Sequence, residues 1–404
     1  MAAARDASWG AAGAMSIVIY EPYIFHVYGN QRYLLDLFSN LPARRYRLTL
    51  VAPYEHPLLD RVRALGGIVE IVRAPRELCE YGGRILRSGV WGRLVTCWAW
   101  LRNCLTLIAY LRRRRPALVQ CHSLRAILMV GVAARIARVP ALWYVKGELA
   151  NRVLDTLGFL LARAVYFQSP RLRDARYAFL RALLRRKTGI LPTGIRLDPI
   201  AGTTDDGRQR VRRDLGISSR EVNLVCVGHI SPLKGIQDIL DALLIARDRI
   251  PPFRLFVVGD VVLEANEPFA RSLKARVAAE GFSRHVDFLG WREDAVLITS
   301  VMDILVHASV TEGVPKAVLE ALGQGVPVIA TDVGGTADVV QRGRTGILVR
   351  PGAPAELADA LVALCNDGAL RRELGMRGRA LVHEKYSIGK NVAALEEVYD
   401  TWRR

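Results

Sequence analysis

The sequence predicts an α/β protein of two domains, each a parallel sheet covered by helices. Strand-like runs alternate with helical ones along the chain: residues 17–20, 48–52, 68–72, 118–121 and 141–145 in the first half, then 223–227, 285–289 and 326–330 in the second. That alternation is the pattern of strands joined by helical crossovers. At 404 residues, 51% of them hydrophobic, the chain exceeds what one core usually holds, so two domains of about 200 residues each are expected. It shows no internal repeat and no low-complexity tract.

Taken in order, the first strand follows directly on Met15, so residues 1–14 read as an extension outside the fold. The apolar run 94–111 ends in four arginines, residues 112–115. As a transmembrane span it is short, and Arg102 and Asn103 fall at its centre, where an arginine costs roughly 2.5–3.5 kcal/mol. Two other readings stay open. One is a core helix leading into the strand at 118–121. The other is a peripheral helix whose Trp91, Trp98 and Trp100 meet a membrane interface while its arginines meet anionic lipid. The basic run 181–187 either adds to such a face or is simply solvated. A polar, turn-rich stretch at 202–207 marks the crossing between domains, with the boundary at 197/198.

In the second half, the buried strand 223–227 runs into Gly228, His229, Ile230, Ser231, Pro232, Leu233, Lys234 and Gly235, then an amphipathic helix over 236–247. A strand, a turn with one basic side chain and a helix start form a phosphate site, because glycine admits close backbone approach and lysine neutralises charge. Neither GxxxxGK[ST] nor GxGxxG is present. Further on stand Glu312, Gly313, Val314 and Pro315, then Glu320, Gly325, Pro327 and Asp332. Pro315 suits the first helical position, which predicts a helix over 315–323 with Glu312 in the loop before it and Glu320 inside it. At 1.5 Å per residue, Pro315 and Glu320 stand roughly 7.5 Å apart along the axis. That spacing lets one carboxylate bind a sugar hydroxyl and the other a ribose hydroxyl, with free helix N–H groups facing a diphosphate. The plainer reading makes Glu312 a cap and Glu320 a solvated helix residue. Gly334, Gly335 and Thr336 either offer N–H groups to phosphate or sugar, or form an ordinary strand-to-helix turn.

Taken together, GHISPLKG, EGVPKAVLE, ALGQGVPVIATDVGG and TGILVRPG resemble the C-terminal domain of the retaining glycosyltransferases of family 4, over about residues 188–400. The resemblance implies a GT-B fold, two Rossmann-like domains with parallel sheets facing a central cleft. An acceptor domain over 1–197 would precede a donor domain over 198–387, with a last helix in 388–404 packing back on the first. It further implies that Glu312 contacts the donor hexose, Glu320 the ribose and Lys234 the diphosphate, and that Gly290 and Trp291 border the nucleobase. Gly228, Gly313, Val314, Pro315, Gly334 and Gly335 complete the donor side. The family usually has arginine where this chain has His229, so diphosphate binding rests more on Lys234 or varies with pH. Asp338 stands where glutamate is common. In the N-terminal half only Gly29 and Asn30 resemble the family's glycine-rich loop, and Lys146 replaces a histidine, where it steadies the leaving phosphate or an anionic acceptor, or is an ordinary surface lysine. His26 and His122 follow strand ends and either orient an acceptor hydroxyl or are structural. Such transfer needs no protein nucleophile, since the leaving phosphate can take the acceptor's proton.

Charge divides the chain. Residues 1–200 hold 31 Lys and Arg against 12 Asp and Glu, whereas residues 201–404 hold 26 against 27. The excess points to an anionic partner on the acceptor side. The arginines follow no nucleic-acid-binding pattern, so nucleic acid is not an expected partner. No HExxH and no CxxC pair occurs among the seven histidines and six cysteines, so no metal or other cofactor is expected, and the thiols suit a reducing cytoplasm. The expected function is metal-independent, retaining transfer of a sugar from a UDP- or GDP-sugar to a lipid-linked or surface-glycan acceptor in bacterial polysaccharide synthesis, by a peripheral protein at the inner face of the plasma membrane. A sugar-nucleotide epimerase of the same fold, or a non-catalytic membrane- or polyanion-binding protein, are the alternatives.

Overall fold

The structure is a computed structural model that describes residues 13–22, 29–79, 89–148, 151–174, 187–197 and 204–403. His26, most of the 1–14 extension and all of the 181–187 run except Lys187 lie outside them. Two compact units emerge: residues up to 168 with 176–192 and 391–404, and residues 169–175 with 193–390. The short 169–175 segment, preceding the sequence-level boundary yet grouped with the second unit, was not anticipated.

The first unit runs β1 (Met15–Tyr20), α1 (Gly29–Asn40), β2 (Tyr46–Ala52), α2 (Pro57–Ala64), β3 (Ile68–Ile71), α3 (Val90–Arg114), β4 (Leu118–Cys121), α4 (Leu124–Ile136), β5 (Ala141–Val145), α5 (Arg152–Leu161), β6 (Ala164–Phe167) and β7 (Thr188–Ile190), counting helices of eight residues or more. Its strands are all parallel, in the order β3-β2-β1-β4-β5-β6-β7. Ile17, Ile19, Leu48, Leu50, Leu118 and Val119 are wholly buried, as strands covered on both faces require. Chain direction reverses across the sheet between β1 and β4, which places the residues after those strands at a topological switch point.

The second unit continues with α6 (Asp205–Asp214), β8 (Val222–Val227), α7 (Ile236–Ala246), β9 (Phe253–Val258), α8 (Glu267–Ala279), β10 (Val286–Gly290), β11 (Ile304–His307), α9 (Lys316–Gly323), β12 (Val328–Thr331), β13 (Gly346–Val349), α10 (Pro354–Asn366) and α11 (Gly368–Lys385). Its parallel order is β10-β9-β8-β11-β12-β13, with the switch between β8 and β11. The last helix, α12 (Ile388–Asp400), starts in this unit and from Asn391 onward belongs to the first. There Arg45 pairs with Glu396 and Asp400, each at 2.7 Å, and the Tyr399 hydroxyl donates to Gln120.

Several expected boundaries shift by a residue or two, and two of these lie beside Glu312. Pro315 is the N-cap and not the first helical residue: its ψ of 121° is extended, so α9 starts at Lys316. The strand read as 326–330 runs Val328–Thr331, because the Val326 N–H closes the end of α9 by donating to Ala321 at 3.0 Å. Gly325, at φ 83°, supplies the left-handed turn that stops that helix.

Candidate active site

In a parallel sheet every strand ends on the same edge, so the loops after β8, β11 and β12 meet along the C-terminal edge of the second unit. Two close approaches fix their geometry. Gly235, at φ 65°, lies under the end of β11, where a Cβ would stand 1.9 Å from the Ala308 carbonyl oxygen. Gly334, at φ 51°, lies against the Glu312 backbone, where a Cβ would again stand 1.9 Å from a carbonyl oxygen. Only glycine permits both the positive φ and the contact. The first packing brings the Lys234 turn to β11, and the second locks the Glu312 loop onto the chain leaving β12.

The result is a compact charged cluster. Lys234 Nζ lies 2.5 Å from Glu312 Oε1, and His307 Nε2 lies 3.1 Å from the same oxygen. A carboxylate only accepts, so the His307 proton is assigned to Nε2, with Ser309 Oγ also 3.2 Å from that nitrogen. Ser309 is held in turn by the Thr331 hydroxyl, which donates to its carbonyl at 2.5 Å. Burial by itself would raise the Glu312 carboxyl, but the His307 hydrogen bond and the Lys234 charge outweigh it and hold the group well below the usual carboxylate range. Glu312 is therefore a fixed negative charge and an acceptor at neutral pH, unsuited to taking up a proton. His229, in the same turn as Lys234, is pushed below the usual imidazole range by burial and then by the Lys234 charge, with Glu312 opposing weakly.

A second cluster occupies the switch point of the first unit. His122 follows β4 and is buried, with Lys146 Nζ 3.3 Å from its Nδ1 and the Gln120 amide 2.6 Å from its Nε2. The Gln120 amide nitrogen faces the ring, because its oxygen accepts from the Tyr399 hydroxyl. Burial, then the Lys146 charge, push His122 well below the usual imidazole range, so the ring is neutral. Lys146 itself rests on aromatic faces, 3.6 Å from the Tyr33 ring centre and 5.3 Å from that of Tyr144.

Comparison with known proteins gives this geometry its context. Residues 221–367 match the family model described as glycosyl transferases group 1. The chain carries a group 1 glycosyltransferase domain. It is similar to N-acetyl-alpha-D-glucosaminyl L-malate synthase of Bacillus anthracis, 29% identical over 190 residues, 47% of this chain and 48% of that protein. It is also similar to an Escherichia coli UDP-Gal:alpha-D-GlcNAc-diphosphoundecaprenol alpha-1,3-galactosyltransferase, 23% identical over 92% of this chain and 93% of the relative. The chain spans about half the length of several curated relatives it matches. Among solved structures, Anabaena HepE in complex with UDP-glucose superposes with a TM-score of 0.78 at 18% identity, covering 96% of this chain and 100% of that one. The two Rossmann-like sheets are those of the GT-B fold.

Within the group 1 domain, the structure brings together Gly228, His229, Lys234, Glu312, Gly313, Gly334 and Gly335. Val314 and Pro315 carry the chain into α9, whose start has no side-chain cap. Glu320 lies half-buried inside that helix. The N–H groups of Gly335 and Thr336 do not face outward as donors: they go to the carbonyls of Gly313, at 2.7 Å, and Val333, at 3.0 Å. Gly335 therefore supports the Glu312 loop. Gly290 ends β10 and half-exposed Trp291 follows it, two strands from β8 and the Lys234 turn. In the first unit, Gly29 and Asn30 open α1. Sequence reasoning missed His307, whose signal is its place at the end of a buried strand five residues before Glu312. It also missed the Arg171–Asp332 ion pair, 2.6 Å across.

Proposed function

We propose that this chain transfers a sugar from a nucleotide-diphosphate donor, with a UDP-sugar the first candidate, to an acceptor with retention of anomeric configuration. The observation that carries the reading is the Lys234–Glu312–His307 cluster at the β8/β11 switch point, the place where open α/β sheets bind nucleotides. An ammonium has three donors. One goes to Glu312, and a diphosphate can take others, so Lys234 links the sugar-binding carboxylate to the leaving group.

In this reading Glu312 accepts from a donor-sugar hydroxyl, Glu320 from the ribose, and His307 keeps Glu312 ionised and aimed. Because Glu312 resists protonation, the acceptor's proton passes to the departing phosphate, and Lys234 provides the stabilising charge without a metal. On the first unit, Lys146 and His122 serve the acceptor. The diphosphoundecaprenol-linked acceptor in the name of the E. coli relative and the UDP and UDP-glucose bound by HepE support a UDP-sugar donor and a lipid-linked, anionic acceptor.

Saturation-transfer NMR against a panel of UDP- and GDP-sugars, repeated with Lys234→Ala and Glu320→Ala, tests the proposal. One donor whose signal both substitutions remove supports the pocket and names the sugar. Absence of signal from every donor with folded protein overturns it. Full turnover in excess EDTA is expected.

A further inference from the structure

Helix α3 has two apolar faces, and only one of them is covered. The inner face is core: Ala99, Asn103, Leu107 and Tyr110 are buried, and α3 packs on α4. Trp100 belongs to this packing as well, since its indole N–H donates to the Leu128 carbonyl at 3.0 Å, which corrects its grouping with the outward tryptophans. The opposite face carries Trp91, Leu94, Val95, Trp98, Leu101 and Leu105, spaced by three, four and seven residues. Trp91 is 80% exposed, Trp98 64% and Leu105 60%. At 1.5 Å per residue this stripe runs for about 20 Å, far beyond the scattered single apolar residues of an ordinary surface.

Charge tells which occupant covers it. Residues 90–115 contain six arginines and no carboxylate. Arg102 stands within the stripe, 5.9 Å over the Trp98 ring, and the stripe ends in exposed Arg112 and Arg113. Among the described residues, 91–114 is the one helix long and apolar enough to cross a membrane, yet its inner face is built into the first unit. An apolar ridge with tryptophans, edged by arginine and lying along the protein, fits the boundary between acyl chains and anionic headgroups.

We propose that the outer face of α3 docks the protein on an anionic lipid surface, with Trp91, Trp98, Leu101 and Leu105 entering the interface and Arg102, Arg112 and Arg113 meeting lipid phosphates. The inference stands apart from the donor-site reading. Of the six cysteines only Cys97, on this same helix, is exposed, which supplies a reporter position.

The test uses the full chain and vesicles of phosphatidylcholine with or without phosphatidylglycerol, read by co-sedimentation and by an environment-sensitive fluorophore on Cys97. Binding to the phosphatidylglycerol vesicles with a blue shift of the label is expected. Trp91→Ser with Trp98→Ser, and separately Arg112→Gln with Arg113→Gln, should each weaken partitioning more than tenfold while leaving the circular dichroism unchanged. Because these side chains are exposed, the variants keep the fold. Equal partitioning of the variants and the parent overturns the proposal. So does a concentration-dependent dimer that the tryptophan pair abolishes, which assigns the face to a second copy, or oligonucleotide binding without vesicle binding.

Discussion

Each unit places a lysine beside a histidine at its switch point, and the two pairs are built on opposite electrostatic plans. In the second unit Lys234 meets an ionised carboxylate, and His307 supports that carboxylate from the other side. In the first, Lys146 meets a neutral imidazole and the face of Tyr33. An ion pair neutralises its own cation and can exchange one partner for an incoming phosphate. A lysine set on a π face is steadied there by the ring quadrupole. The difference teaches that one side-chain type can be positioned in two ways, against an ionised carboxylate or against aromatic faces.

Removing the carboxylate is the strongest way to break this contrast. Glu312→Gln leaves Lys234 and His307 without their common acceptor and is expected to lower kcat about 100- to 1,000-fold, the scale for one preorganised electrostatic group. Because the pair is largely buried, the variant should also lose about 3 kcal/mol of stability, near the lower end for breaking a buried ion pair. A denaturant titration beside the rate measurement separates the two effects. A variant that turns over at the parental rate sinks the assignment of Glu312 to the donor sugar.

Next in size is Lys234→Ala, with a UDP dissociation constant expected to rise about 10- to 100-fold, since a charge-assisted contact to phosphate is worth about 1.5–3 kcal/mol. Calorimetry with UDP alone reads it. Lys146→Met sharpens the comparison from the other side: UDP affinity should stay within about twofold while kcat falls by about tenfold or more, in the range for one positioned catalytic group. A UDP affinity that falls as far as in Lys234→Ala would show that both lysines serve one ligand group.

The two clusters also differ in how far the sequence discloses them. Lys234 and Glu312 sit in short glycine-marked turns, so the strand before each and the helix after each can be read locally, and β8 and α9 lie within one residue of their expected starts. His307 was hidden because a histidine ending an apolar strand looks like core, and only the turn back to Glu312 gives it a partner. The first-unit cluster depends on distant chain. Tyr399 reaches Gln120 across 279 residues and Asn391 reaches the Tyr33 hydroxyl across 358. No local pattern encodes such contacts. The apolar run at 94–111 predicted a helix, but which tryptophans faced outward was settled only by the position of α4 beside Trp100.

The smallest expected effect concerns His229 and tests whether the second site is as exchangeable as its ion pair suggests. Burial and Lys234 hold this imidazole below its ordinary value, so it is neutral at pH 7 in the free protein. A diphosphate beside it supplies negative charge, which favours the imidazolium and raises the bound-state pKa above the free one. When the bound pKa is the higher, binding takes up a proton. UDP affinity should therefore strengthen as pH falls through the bound-state pKa and level off below the free-state one. The gain should be a few-fold between pH 8 and pH 6, since each pKa unit of difference is worth at most tenfold in affinity. In His229→Gln this component of the pH dependence should vanish while UDP affinity at pH 8 stays close to that of the parent, because the neutral ring contributes no charge there. If the parent shows no such slope, or the variant keeps it, His229 stands apart from the diphosphate and Lys234 carries that contact.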